Sequence, residues 1–547
     1  MAYNLQSLVT ILQQILHPEQ THWAFDHNKP QLQSLLHKAL MQILENSPHT
    51  KAASLESRIR DVVYKTEDII ESEMLHQMLS NPESQSLTFS TPDLQQVTQQ
   101  LDSALVFLHD LTPDLLVEFE EKSASSSLRY KGDLVGVDED LLQLKDRLTN
   151  VERKREIVPI VGMGGIGKST LARNIYEDPC IVSHFDYRGW AAISQVPNMR
   201  EIMFSLLRGP NEKVSDELAG CGDYELRDIL HKRLFERRYL IVLDDIWSTK
   251  VWDAIRMCFP DNNNGSRIVI TTRESDVAEH VAGSKSLHHV QLLDEFASRD
   301  LLCQIVFGEE DCPDELRQVA ATIGSDCSGL PLAIHLIGGL LSKVERSRDV
   351  WYNFSMDVKA SIVESDEHFA SILSLSYNHL PIRLKPCFLY MGAFPEDYEI
   401  KGSRLKSMWI GEGFVKYNGD KSLEDEAEDY LKAMVERNLL FVKRKKKNGK
   451  PMSYSIHDLL RDLCIRKANE EKFLNVKNSL RRVSILSPFG IEDVCASPRL
   501  ISSARSFICT ENWFLSPIFS ALRLIRVLDV MSKVFQLEYQ DCGICKP

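Results

Sequence analysis

The segment Gly162-Met163-Gly164-Gly165-Ile166-Gly167-Lys168-Ser169-Thr170 has the residue types and spacing of a phosphate cradle, G-x-x-x-x-G-K-[ST]. Glycines let successive backbone N–H groups curl around an oxyanion, and a helix starting at the cradle adds its positive N-terminal dipole. In that chemistry Lys168 reaches the β- and γ-phosphates of a nucleotide and Ser169 ligates Mg2+. A second segment, Tyr239-Leu240-Ile241-Val242-Leu243-Asp244-Asp245-Ile246-Trp247, ends an apolar run in two carboxylates. Alone, such a pair reads as a turn or a helix cap. With a phosphate cradle upstream, Asp244 becomes the group that holds Mg2+ through water, and Asp245 the one that orients or deprotonates an attacking water. A third segment, Gly265-Ser266-Arg267-Ile268-Val269-Ile270-Thr271-Thr272-Arg273, delivers a cation after an apolar run. Arg273 there can contact a γ-phosphate, a charge-assisted hydrogen bond that contributes about 1.5–3 kcal/mol.

These groups need a common edge. Short apolar runs at Ile157 to Val161, Gly189 to Ile193, Tyr239 to Leu243 and Arg267 to Thr271 alternate with helical segments. That alternation predicts a parallel α/β sheet, whose ligands sit beyond the carboxyl ends of the strands. The cradle directly follows the first run and precedes a helical stretch, Leu171 to Tyr176, which is the context the motif requires. Upstream, four apolar stripes predict a four-helix bundle: Leu5 to Leu16, Leu32 to Leu44, Leu55 to Ile70 and Leu94 to Leu108, with Ser80 to Pro92 as a polar turn. Glu120-Glu121-Lys122-Ser123-Ala124-Ser125-Ser126-Ser127 has a linker's composition. Residues 296 to 380 read as helical again, followed by a mixed segment to about 480. In the tail, Leu522, Leu524, Val527 and Leu528 open a single leucine-rich repeat, and about three are needed to bury one another.

Composition narrows the class. At 547 residues and 62.5 kDa the chain has room for three or four domains. Its net charge of −14 and pI near 5.7 do not suit a dedicated nucleic-acid binder. No apolar run reaches the 18 residues that read as a membrane span. The start, Met1-Ala2-Tyr3-Asn4-Leu5, carries neither a secretory signal nor a myristoylation site, and the end, Lys546-Pro547, no prenylation box. Twelve widely spaced cysteines fit reduced thiols, with Cys542-Gly543-Ile544-Cys545 read as a chance pair.

Further blocks follow in order: Gly329-Leu330-Pro331-Leu332, Cys387-Phe388-Leu389-Tyr390, Phe394-Pro395-Glu396-Asp397, Trp409-Ile410-Gly411-Glu412-Gly413-Phe414 and Ile456-His457-Asp458-Leu459-Leu460. Together with the three segments above, and with Phe185 to Trp190 and Ser194-Gln195, they closely resemble the NB-ARC module of plant disease-resistance proteins, the NLR family, of the late-blight-resistance kind. Arg60-Asp61, Tyr64 and Glu67-Asp68-Ile69-Ile70-Glu71 resemble the acidic motif of that family's coiled-coil bundle. The resemblance implies a multidomain chain: a bundle at 1–122, a linker at 123–134, an α/β P-loop domain of STAND/AAA type at 135–295, a helical domain at 296–380, a winged-helix domain at 381–480 and the start of leucine-rich repeats at 481–547. It also implies that Val135-Gly136 lines the base, that Pro331 packs near the adenine, and that His457, beside Asp458, contacts the ADP β-phosphate from the winged-helix domain.

The candidate nucleotide-binding residues are thus Gly162, Gly164, Gly165, Ile166, Gly167, Lys168, Ser169, Thr170, Val135, Arg273, Pro331 and His457. Asp245 and Asp244 are the candidate catalytic pair, and Ser169 and Asp244 the candidate Mg2+ ligands. What the resemblance implies functionally is an immune receptor switched by ADP and ATP, with slow ATP hydrolysis and hypersensitive cell death as output. Its implied partners are helper or sensor NLRs, further copies of itself on activation, and a pathogen effector met directly or through a host protein. No specific nucleic acid is implied. The implied location is the cytoplasm, with the plasma membrane engaged only on activation. The alternative is a short adaptor or decoy that pairs with other receptors without sensing or signalling alone. This sequence departs from the family at Ile456 (usually Met), Arg299 (usually Trp) and Glu71 (usually Asp), and Gln13 and Gln14 stand where channel-forming members carry a basic residue. In the family a repeat-borne arginine surface clasps the acidic motif; with the repeats read as absent, Glu67, Asp68 and Glu71 are expected to lack that cis partner and to face water or a partner chain. Lys443-Arg444-Lys445-Lys446-Lys447 with Lys450 is read as a solvated loop of the winged-helix domain.

Overall fold

The apolar run ahead of the glycine-rich loop is an interior strand of a five-stranded sheet. The computed structural model describes residues 23–25, 63–64, 66–71, 87–89, 135–194, 197–208, 221–283, 286–308, 310–363, 368–415, 421–471, 473–474, 482–485, 504–509 and 525–530. They fall into two compact units, one of residues 121–379 with 436–438 and one of residues 1–120, 380–435 and 439–547.

In the former, α1 (Asp138–Thr149) leads into β1 (Glu156–Val161), α2 (Lys168–Glu177), α3 (Pro179–His184), β2 (Tyr187–Ala192), α4 (Met199–Leu207), α5 (Asp223–Leu234), β3 (Tyr239–Asp244), α6 (Thr249–Ile255), β4 (Arg267–Thr272), α7 (Ser275–Ala282) and β5 (His288–His289). The strands order β2-β3-β4-β1-β5, all parallel. Every residue of β3 and β4 is buried. Such unbroken burial is what a strand covered by helices on both faces demands, and it explains why these runs do not alternate. Ala192 pairs with Asp244 and Val161 with Thr272, so four carboxyl ends share one edge. Helices α8 (Glu295–Phe307), α9 (Asp314–Asp326), α10 (Pro331–Leu341), α11 (Arg348–Val363) and α12 (His368–Asn378) follow. One core joins α1, α2, one sheet face and these helices; another lies under α4 to α7.

The other unit holds the winged-helix elements: α13 (Lys385–Tyr390), β6 (Ile400–Lys401), α14 (Gly402–Gly411), α15 (Leu423–Glu436), β7 (Phe441–Lys445), β8 (Pro451–Ser455) and α16 (Asp458–Glu470). Its small antiparallel sheet runs β6-β8-β7. Beyond it β9 (Arg482–Ile485), β10 (Ser506–Cys509) and β11 (Val527–Val530) pair in parallel, starting 24 and 21 residues apart. Among the described residues three parallel strands thus stand in the region where the sequence reading placed one repeat, and Arg482 and Ser506 occupy buried positions in two of them.

The all-helical reading of the first 110 residues also needs correction. Trp23–Phe25 and Leu87–Phe89 form a parallel strand pair, the latter inside the segment read as a polar turn. Residues 63–64 and 66–71 are helical, with Val63, Thr66 and Ile70 buried. The stripes at 5–16, 32–44 and 94–108, the linker at 120–127, Gln13, Gln14, Leu522, Leu524 and the Cys542 to Cys545 pair lie outside the described residues.

Candidate nucleotide-binding site

The glycine-rich loop turns between β1 and α2. Gly165 and Gly167 have φ of +78° and +103°, a region L side chains rarely adopt, and Gly167 is the residue from which α2 starts. Lys168 arches back over the loop, its Nζ donating to the carbonyls of Gly162 (2.8 Å) and Met163 (3.0 Å). It is only 6% exposed. Burial pulls its ammonium down from 10.5 to about 8, with Arg273 acting the same way and Asp245 and Asp244 opposing. Ile166 is buried, whereas Ser169 and Thr170 stand exposed at the mouth of the loop.

Ser169 Oγ donates to Asp244 Oδ1 at 2.8 Å. The same carboxylate oxygen accepts from Thr271 Oγ1 at 2.5 Å, and Thr271 Oγ1 in turn accepts from the Asp245 N–H at 2.7 Å. Because the hydroxyl oxygen is engaged by that amide, its proton is committed to Asp244. Asp245 has a φ of +62°, a turn that lifts its side chain off the strand line. Its Oδ2 accepts from Arg273 Nη2 at 3.3 Å, and the Arg273 guanidinium lies 4.5 Å from the centroid of the Trp247 ring. Burial raises the Asp245 carboxyl, with Arg273 and Lys168 pulling it down and Asp244 pushing it up. Lys168, Ser169, Asp244, Asp245 and Arg273 are therefore drawn together at one sheet edge. Sequence reasoning missed Thr271 and Trp247. Their only signal was position, one at the end of a strand and one just after the acid pair.

A wall of close backbone contacts adjoins the cradle. Val135 packs against the core, and a Cβ on Gly136 (φ +74°) would stand 2.8 Å from Leu293 and 2.9 Å from Ala297. The Leu293 N–H donates to the Gly329 carbonyl at 2.9 Å. A Cβ on Gly329 (φ +69°) would fall 2.2 Å from the Leu293 oxygen, so no other residue fits. Pro331 opens α10, where its missing N–H costs nothing. One residue on, the Leu332 N–H donates to the Gly165 carbonyl at 3.2 Å. Val135, Gly136, Pro331 and the cradle are thus parts of one packed surface. Arg299, the departure on α8, pairs with Asp300 at 2.6 Å near the surface.

His457 belongs to the other unit. It is the residue preceding α16, its Nδ1 accepting from the Leu459 N–H at 3.3 Å, with the Asp458 carboxylate against the ring. In the same unit the acidic motif has partners in cis, contrary to expectation. Asp68 pairs with Arg505 at 2.8 Å; Glu71 pairs with both Arg505 and Arg526; Glu67 is buried. The cations come from the residues leading into β10 and β11. Alongside, Arg482 and Glu412 form a fully buried ion pair at 2.7 Å. The basic run Lys443 to Lys450 forms the exposed β7–β8 hairpin, with Arg444 bonded to Glu399.

Residues 137–312 match the NB-ARC domain family, and residues 393–464 match the disease resistance protein winged helix domain. The chain is similar to the late blight resistance protein R1-A of Solanum demissum, 40% identical over 349 residues, which is 63% of this chain and 26% of that protein. It is likewise similar to the late blight resistance protein homolog R1B-19 of the same species, 38% identical over 366 residues, which is 67% of this chain and 27% of that protein. The chain thus spans about a quarter of the length of the curated relatives it matches. Among solved structures it resembles a STAND ATPase with a tetratricopeptide repeat sensor from Pyrococcus horikoshii, at 15% identity and a TM-score of 0.37, covering 65% of this chain and 45% of that one.

Proposed function

From a chain that carries the NB-ARC and winged-helix domains of plant disease-resistance proteins, we propose an immune receptor switched by ADP and ATP, whose output is hypersensitive cell death. The observation that carries this reading is the convergence of Lys168, Ser169, Asp244, Asp245 and Arg273 on the loop between β1 and α2. The residues fit a magnesium nucleotide. Gly167 opens on space with no atom within 4 Å of where a Cβ would stand, and the Ser169 hydroxyl already lies on the Asp244 carboxylate. Ser169 and Asp244 would hold Mg2+, which screens phosphate charge when bound. The chain's own groups do the rest. Lys168 neutralises terminal phosphate oxygens, and Asp245 orients a water and accepts its proton, a task suited to a carboxyl raised by burial. Arg273 reports whether a γ-phosphate is present. Hydrolysis of this kind resets a switch rather than producing metabolite.

Several candidate roles belong to the same reading: Val135 and Pro331 at the base, and His457 as a phosphate contact supplied by the winged-helix domain. So do an effector met directly or through a host protein, helper or sensor receptors, self-assembly on activation, and a cytoplasmic location with membrane engagement on activation. The test is nucleotide bound to the purified full chain, together with cell death on transient expression in leaves. Lys168→Ala and Lys168→Arg should each lose bound nucleotide and cell death, because a planar fork cannot replace a point-charge ammonium at this position. Wild-type nucleotide content in both variants would overturn the assignment.

A further inference from the structure

The chain leaving β3 is fastened to the end of β4 by three hydrogen bonds. The Asp245 N–H reaches Thr271 Oγ1 at 2.7 Å, the Ile246 N–H reaches the Thr271 carbonyl at 2.8 Å, and Thr272 Oγ1 donates to the Ile246 carbonyl at 2.6 Å. Ile246 is also buried to 1% exposure. With Asp245 at a φ of +62°, this fastening fixes where the next residue, Trp247, presents its ring. The ring meets Arg273, whose guanidinium carbon lies 4.5 Å from its centroid, while Arg273 Nη2 lies 3.3 Å from Asp245 Oδ2. The Trp247 indole N–H is buried and has no hydrogen-bond partner among the described residues. The π face is thus the part of Trp247 that meets a charged group. A cation over a partly desolvated indole is held more firmly than one over a phenyl ring.

We propose that Trp247 is a positioning residue that parks Arg273 on Asp245, and that it thereby sets the preference of this site for ADP over ATP. The proposal rests on the reading of Arg273 as the residue that meets a γ-phosphate. A guanidinium held face-on by the indole and edge-on by a carboxylate must surrender at least the carboxylate before it donates to a phosphate oxygen. A nucleotide with only two phosphates leaves it parked. One with three must draw it away, so part of its binding free energy goes into breaking the clasp. The clasp has a second effect: while Arg273 is parked, Asp245 is engaged and its Oδ2 is withdrawn from any attacking water. One movement of Arg273 therefore governs both recognition of the third phosphate and release of the base.

The test compares equilibrium binding of ADP and of a non-hydrolysable imido analogue of ATP to the nucleotide-free full chain at fixed Mg2+. The variants are Trp247→Leu, Trp247→Phe and Arg273→Ala. Trp247→Leu should leave the Kd for ADP within about twofold and tighten the analogue about three- to tenfold, the scale of one partly shielded cation–π contact. Trp247→Phe, which keeps a weaker π face in the same place, should fall between Trp247→Leu and the wild type. In the Arg273→Ala background, Trp247→Leu should have no effect on the ratio. An unchanged ratio in Trp247→Leu and Trp247→Phe, with Arg273→Ala still weakening the analogue, would overturn the role of Trp247 alone. An analogue affinity unaffected by Arg273→Ala would overturn the reading of Arg273 and the present proposal with it. Melting temperatures within about 2 °C of wild type identify variants whose fold is intact.

Discussion

Lys168 gives the site a pH dependence whose sign and size follow from its burial. Its ammonium titrates near 8 in the folded, nucleotide-free chain and at 10.5 in an unfolded one, burial being the main cause. The charged form therefore costs the nucleotide-free fold about 3 kcal/mol at neutral pH, at 1.36 kcal/mol per unit. Between pH 8 and 10.5 the unfolded chain binds more protons than the folded one, so this part of the stability rises with pH across that window. Binding works in the opposite direction. The negative charge of a diphosphate placed against Nζ favours the ammonium, so above pH 8 binding must take up a proton. With a free value of about 8, ADP should bind about twofold more weakly at pH 8 than at pH 7, and about tenfold more weakly at pH 9. Isothermal titration of the stripped full chain, in buffers of different ionisation enthalpy, reads both affinity and protons. Uptake should rise from about 0.1 proton at pH 7 to about 0.9 at pH 9. A Kd constant within about twofold across that range, with no proton uptake, would refute the claim that burial holds Lys168 close to neutrality.

Other outcomes follow from single contacts. Thr271→Val should leave the sheet intact but orphan the Asp245 N–H and loosen Asp244, costing about 1–3 kcal/mol; nucleotide retention should become more Mg2+-dependent, and Thr271→Ser should restore it. Gly329→Ala should destabilise the nucleotide unit by at least about 2 kcal/mol in thermal or urea melting, since it adds a Cβ at positive φ against the Leu293 oxygen. Glu71→Ala should destabilise by about 3–5 kcal/mol, because it leaves Arg505, 1% exposed, without its second carboxylate. A surface-like loss below about 1 kcal/mol would show that this pair is solvated.

Much of the phosphate end of the site was legible because its chemistry is local in sequence. The cradle occupies nine consecutive residues, and its flanking strand and helix follow from an apolar run and an amphipathic stretch. Asp244 was legible because an acid pair closing an apolar run, with a phosphate cradle upstream, marks the carboxyl edge of a sheet strand. Thr271 was not, since a hydroxyl at the end of a β-branched strand looks the same whether it faces solvent or a buried carboxylate; only the β3–β4 register decides. Trp247 was quoted as part of a run without a role, because a cation–π contact has no spacing rule. The acidic motif failed for a different reason. Its cations stand more than 430 positions later, at Arg505 and Arg526, and no spacing rule links an acid to a cation so far along the chain. Reading Glu67, Asp68 and Glu71 as a face open to water or a partner chain therefore missed the guanidinium groups that the fold sets against Asp68 and Glu71.

The wall beside the cradle has a mechanical consequence. Gly136 packs on Leu293, Leu293 bonds to the Gly329 carbonyl, and Leu332 donates to the carbonyl of Gly165, the phosphate loop's own glycine. At each of these glycines an added Cβ would meet a neighbour within 3 Å, so none of the contacts has slack. Pro331 contributes no N–H, which makes the Leu332 amide the first of α10 that can reach the loop. Displacement of the Gly165 carbonyl must therefore either break that hydrogen bond, at a cost of about 1 kcal/mol, or carry the start of α10 with it. Because α10 is buried along nearly its whole length against α8 and α12, the second course moves a packed layer rather than a side chain. The hydrogen bond is the weaker of the two restraints, so a shift of the Gly165 carbonyl should part it from the Leu332 amide before it moves the packed helix.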